Sequence, residues 1–316
     1  MKKMVNEVHC EGYLYEHDLA LKVSGPTSKK PGTEFISGTI SIATDEACTN
    51  IVEFHYTYVT AVTSTGKQNF NFARLKDIID GNTKTVMADG KENAAKVQIS
   101  SAIGLNDFYT EQNGNWNLVS TKRNEGGFIR IIGEVNDSKR NYFKTDMVIT
   151  KAVRLEENEE RGLPERMTLS GVCFDFRGSI LPVEFTMYLK QGMDYFEGQE
   201  ISGNNPLCTE VRGEIVNTTV IKREVEESAF GEPVIRETPT TKREYVATSC
   251  SLNPFEWDSD EFITAEELKK LVADRETYLA EVKQRAIEWK EQRAIQNVTP
   301  ATSAAKPAAS NGGFNF

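Results

Sequence analysis

Two stretches far apart in the chain carry the same alternating pattern with a glycine at the same step: residues 8–23 (VHCEGYLYEHDLALKV) and 167–189 (MTLSGVCFDFRGSILPVEFTMYL). Aligning Gly12 with Gly171 sets Val8, Cys10 and Leu14 on Met167, Leu169 and Cys173, and Tyr15 on Phe174. Apolar residues at every second position describe a strand with one buried face. A glycine inside such a strand loses order and packing, and marks a bulge or a tight bend. Sharing it at the same step predicts two curved strands of similar role. A second echo follows downstream, where 130–136 (RIIGEVN) and 210–217 (EVRGEIVN) both hold Gly-Glu inside a strand pattern. The chain therefore reads as two related β modules, each a small closed barrel.

The order of elements in the first module sharpens this. Strand-like alternation occupies 8–23, 35–43 and 51–62, helical spacing of Phe72, Leu75 and Ile78 occupies 70–79, and extended pattern returns at 96–103, 128–135 and 142–153. Three strands, a helix and two strands is the order of the five-stranded oligonucleotide-binding barrel. Between helix and fourth strand lies an insertion near 64–126, whose part at 105–127 reads as a long Asn- and Gly-rich loop; a loop of that length in a compact domain serves a function or is disordered. The fold expected is mostly β: a first barrel over 1–155, an acidic connector at 156–166, a second barrel over 167–257, an amphipathic helix over 262–295 and a disordered tail over 296–316. Thr264 and Glu267 form a capping box that opens the helix. Leu268, Leu271, Val272, Leu279, Val282 and Trp289 fall on or near one stripe of it, so it packs on the protein or pairs with a copy of itself.

Charge separates the two modules. Lys and Arg number 17 against 18 Asp and Glu over 1–150, and 12 against 21 over 151–260. A polyanion would be met by local basic patches of the first module. The five cysteines are odd in number and contain no C-x-x-C, which fits a reducing, cytoplasmic setting without a zinc site. No apolar run is long enough for a membrane span or a signal peptide. The three histidines and the lack of any recognisable nucleophile, phosphate-loop or metalloprotease motif speak against an enzyme and against a cofactor.

Binding chemistry has more to work with. Single strands are held by aromatic rings under the bases and by Lys or Arg along the phosphates. Tyr13 and Tyr15 lie on the polar face of the first strand; Phe108, Tyr109 and Trp116 sit in the long insertion beside Lys122 and Arg123; Lys29 and Lys30, and Lys139 and Arg140, lie in loops that line the groove of such barrels. Each has a plainer reading as a sheet surface, a self-packed loop or a solvated charge. Phe54, Tyr56 and Tyr58 share one strand face and read as core.

The segment 126–155 (GGFIRIIGEVNDSKRNYFKTDMVITKAVRL) resembles the fourth strand, hairpin and fifth strand of single-stranded DNA-binding proteins of the oligonucleotide-binding-fold type, and the chain as a whole resembles their tandem bacteriophage versions. The resemblance implies coating of single-stranded DNA in replication or recombination, in host cytoplasm if phage-encoded, with no cofactor. It also implies partner recruitment by a flexible tail, here ending in Phe314 and Phe316, although no acid follows Glu291. The acidic second barrel and the helix would then serve assembly, including a homo-oligomer. The alternative is a scaffold protein whose two barrels both meet protein.

Overall fold

The computed structural model describes residues 3–26, 28–158, 163–226, 230 and 234–298. Its elements in chain order are β1 (Asn6–His17), β2 (Ala20–Val23), β3 (Glu34–Ala43), β4 (Ile51–Thr60), α1 (Phe70–Ile79), α2 (Val86–Asp89), β5 (Lys96–Ser101), β6 (Ile103–Gln112), β7 (Asn115–Glu125), β8 (Phe128–Ile131), β9 (Asn141–Leu155), β10 (Arg166–Phe174), β11 (Ile180–Met187), α3 (Lys190–Glu197), β12 (Leu207–Glu226), β13 (Val234–Cys250) and α4 (Ala265–Val298). The protein is mostly β, with barrel and further strands followed by a long helix. One compact unit holds the described chain up to Asn106 and from Ser120 to Arg275; a second holds Asp107–Val119 and α4 from Glu276 onward.

A five-membered ring closes in the C-terminal half of the first unit. β9 pairs with β10, β10 with β11, β11 in parallel with β13, β13 with β12, and β12 again with β9. With α3 between its third and fourth strands, this is the oligonucleotide-binding order. Its first strand is β9, which the sequence pattern had placed at the end of the first module. Periodicity shows that 142–153 is a strand, but only pairing shows which ring it joins.

The N-terminal half repeats the plan with divided staves. β1 pairs with β3 and β5, β3 with β4, β4 in parallel with β7, and β5 with β8. β5 runs on into β6 past Ala102, β7 runs on into β8 past Gly126 and Gly127, and the Glu125 amide donates to the Ala102 carbonyl at 2.9 Å. The stretch expected as a loop at 105–127 is therefore the hairpin of β6 and β7. Its turn is Asn113-Gly114, both with positive φ (53° and 82°), the backbone of a two-residue hairpin turn. The strand expected over 128–135 stops at Ile131 instead. β1 also pairs with β9, so one sheet runs through both rings.

Of the two matched glycines, Gly171 lies at a register shift between β9 and β10, as the expectation of a bulge has it, and both lie where a neighbouring backbone comes close. A Cβ on Gly12 would lie 2.0 Å from the Ala43 carbonyl oxygen, and one on Gly171 would lie 2.0 Å from that of Val148. Val8, Cys10, Leu14, Met167, Leu169 and Cys173 are all fully buried in one continuous core. The roles of the two strands differ, however: β1 opens the first ring, whereas β10 is second in its ring.

A smaller cluster of Val148, Phe174, Ile180, Cys208, Phe262 and Ile263 covers the outside of the C-terminal ring, with Leu268 and Leu271 of α4 packed on it. The capping box forms as the sequence predicts: the Glu267 amide donates to Thr264 Oγ1 at 3.2 Å, and the Thr264 amide donates to Glu267 Oε2 at 3.1 Å. Residues 159–162 of the acidic connector and the tail from 299, with Phe314 and Phe316, lie outside the described residues.

Candidate nucleic-acid interface

The outer face of β3 and β4 is shaped by one extra residue. Between the pairs Ile36–Val59 and Gly38–Tyr56, β4 has two residues where β3 has one. The bulge breaks the alternation that puts Phe54 and Tyr56 in the core, and turns Tyr58 outward. Tyr56 instead points inward and donates from its hydroxyl to the Gly127 carbonyl at 3.0 Å. Tyr58 is 48% exposed, and its ring lies 4.6 Å from that of Phe35. Lys22 stands directly opposite Phe35 on β2, which places both on the same face. The loop that follows β2 carries Lys29 and Lys30, both exposed. An aromatic pair with Lys22 opposite it, followed in the chain by a loop that carries two more lysines, thus occupies one end of this face.

Polarity changes along the same face. At its middle, Thr39 Oγ1 lies 3.2 Å from His55 Nδ1, and burial pulls the His55 pKa below its ordinary value, which favours the neutral ring. At the far end the Glu46 carboxylate gathers three donors. Lys91 Nζ is 2.8 Å from it, the Tyr13 hydroxyl donates at 3.1 Å, and Arg140 donates as well while also holding Asp137 at 2.6 Å. Hydrogen bonds from Lys91 and Arg140 bring the Glu46 carboxyl down to about 2. The Tyr13 ring lies beneath the Lys91 ammonium, 5.0 Å from its centroid.

The sequence candidates consequently fall in separate places rather than in one groove. Tyr13 and Arg140 meet at Glu46, beside Ala43; Lys29 and Lys30 lie in the loop that leads to Glu34, about 30 Å away along β3 at roughly 3.3 Å per strand residue. Tyr15 is half-buried at a bulge in β1. Arg123 holds Glu125 at 2.9 Å. The Lys122 ammonium donates to the Glu184 carbonyl and lies over the Phe185 and Tyr245 rings, 5.7 and 5.3 Å from their centroids, and burial lowers its pKa. Its neighbour Asn124 accepts from the Tyr245 hydroxyl at 2.7 Å, so β7 closes one mouth of the C-terminal ring. In the second unit, Tyr109 and Trp116 each lie 5.9 Å beneath an ammonium, of Lys283 and Lys290 respectively, and Phe108 is exposed. The side chain of Lys139 lies outside the described residues.

Phe35, Tyr58 and Lys22 were not among the sequence candidates. The signal for Tyr58 was misleading, because two residues after a core tyrosine it should share the core face, and a bulge leaves no mark in periodicity. Among the described residues no group of three or more His, Cys, Asp or Glu is placed to hold a metal, and no helix is long and apolar enough to cross a membrane.

A family model described as YorF matches residues 4–285. No curated protein matches the chain. Among solved structures, two crystal structures of the single-stranded DNA binding protein from Thermus aquaticus are similar. A deletion mutant is 10% identical, with 81% of this chain and 97% of that chain covered and a TM-score of 0.45. The wild type is 9% identical, with 79% and 93% covered and a TM-score of 0.44.

Proposed function

The chain belongs to the YorF family, and we propose that it binds single-stranded DNA on the outer face of the N-terminal barrel. The observation that carries this reading is Tyr58, turned into solvent by a bulge and set against the half-buried ring of Phe35, with Lys22 opposite Phe35 and Lys29 and Lys30 in the loop that follows β2. An exposed ring backed by a second one offers bases a stacking surface whatever their sequence, and flexible lysines meet phosphates as point charges. Strands two and three, with the loop after strand one, form the binding face of oligonucleotide-binding barrels, and these residues occupy that position. Tyr15, on β1 of the same barrel, and, as a separate set of rings in the second unit, Phe108, Tyr109 and Trp116 would offer bases further stacking surfaces. Tyr13 and Arg140 would serve only if phosphate took the place of the Glu46 carboxylate. Lys122 and Arg123, already engaged within the protein, would contribute by fixing β7.

The setting we propose is replication or recombination, where single strands are exposed. The test is fluorescence anisotropy of labelled single-stranded and duplex oligonucleotides at two salt concentrations. Preference for the single strand, weakening with salt, supports the reading. No binding at low salt retires it and leaves both barrels as protein-interaction modules.

A further inference from the structure

A second aromatic concavity lies where β4 leads into α1. Phe70 and Phe128 are 76% and 73% exposed, far more than rings of that size usually are in water. They line one open pocket together with Thr63, Thr65, Lys67, Gln68 and Asn69, and no acid lines it. Asn71 brings the two rings together. Its amide nitrogen donates to the Gly127 carbonyl at 3.0 Å and its amide oxygen accepts from the Ile129 amide at 3.2 Å, which ties the first turn of α1 to β8 on either side of Phe128.

Cations surround the rings. Arg74 is one turn on from Phe70, on the same helix face, and Arg130 is two residues from Phe128, on the same strand face; both are exposed. Among the described residues neither of these arginines nor Lys67 forms an ion pair. The pocket also continues the face already described. Thr60, paired with Phe35, accepts from Asn69 Nδ2 at 2.9 Å, and Asn69 caps the helix that begins with Phe70.

We propose that this concavity is a second nucleotide cradle, in which Phe70 and Phe128 take a base while Lys67, Arg74 and Arg130 meet the phosphates on either side of it. The inference rests on the single-strand reading of the N-terminal barrel, and extends the strand's path from Tyr58 toward α1. Two unpaired rings in an acid-free, cation-flanked pocket match a group that is flat, apolar on its faces and anionic at its edge.

The experiment uses the full chain. Photocross-linking with an oligonucleotide carrying 5-iododeoxyuridine should label peptides holding Phe70 or Phe128. The variant Phe70→Ala/Phe128→Ala should unfold at the wild-type temperature, since both rings are already in water. It should bind an oligothymidine of about 16 nucleotides about tenfold more weakly, and one of about 4 nucleotides as the wild type does. Unchanged affinity for the long strand, an equal loss for both lengths, or cross-links confined to the Phe35 and Tyr58 peptides would each overturn the cradle while leaving the first platform intact. Failure of the wild type to bind either strand at low salt would instead sink the single-strand reading itself.

Discussion

Replacing Tyr58 by alanine separates binding from folding most cleanly. Its ring is 48% exposed and, among the described residues, its close aromatic contact is Phe35, at 4.6 Å. Losing that contact should cost about 1 kcal/mol of stability, the usual worth of an aromatic pair, and lower the melting temperature by about 2–4 °C. Losing the platform costs more in binding. One stacked base contributes about 1–3 kcal/mol, so the dissociation constant should rise by about 5- to 150-fold. Because the two rings touch, Phe35→Ala should give a similar loss, and the double variant should lose less than the sum of the two. Tyr56→Ala is the contrast: that ring is 4% exposed and bonded to the Gly127 carbonyl, and its removal should cost about 3–5 kcal/mol of stability. Anisotropy titrations with oligothymidine, run beside thermal melts, measure both quantities. If Tyr58→Ala binds within twofold of the wild type while Phe35→Ala does the same, stacking on this face is refuted, however well the protein binds DNA elsewhere.

Other expectations can be checked independently. Lys29→Ala/Lys30→Ala should flatten the dependence of log affinity on log salt by about 1.4, at roughly 0.7 per single-strand phosphate contact; an unchanged slope would remove both lysines from the interface. Gly171→Ala should cost about 3 kcal/mol or more in denaturant unfolding, since its Cβ would stand 2.0 Å from a backbone oxygen, whereas Gly25→Ala, with nothing within 4 Å, should be near neutral. The folded-state pKa of Glu46 is depressed to about 2 from an ordinary 4.5, so the stability it contributes is fully present above the ordinary value and disappears as pH falls through the depressed one. Carboxyl carbon NMR that finds Glu46 titrating at the ordinary value would show that Lys91 and Arg140 do not hold it in solution. Thr264→Ala should cost about 1 kcal/mol and speed amide exchange in the first turn of α4, with exchange unchanged if the capping box is not formed.

The sequence was legible wherever local pattern suffices. Alternation placed the strands around Val8, Ile40, Val52, Met167 and Phe185; helical spacing placed α1 at Phe70–Ile79; and Thr264 with Glu267 announced α4. It also singled out Gly12 and Gly171 as marks of a bulge or bend; a register shift does fall at Gly171, while the close approach of a neighbouring backbone at both glycines came only from the structure. The hairpin of β6 and β7 reads as a loop in the sequence, because its strands are polar and no residue beside the Asn113-Gly114 turn is buried to set an alternation.

What remained was decided by pairing between distant segments. That β9 opens the second ring depends on which partners its two edges find, β10 on one side and β12 on the other, and periodicity carries no information about partners. The same holds for the site. Tyr13 and Arg140, 127 positions apart in sequence, meet on Glu46 because the turn after β3 and the entry to β9 end at one corner. Tyr58 faces solvent because β4 carries one more residue than β3 across the same span. Residue type and period determined that this chain builds β barrels with aromatic and basic residues to spare; only the register between strands decided which of those residues face water together.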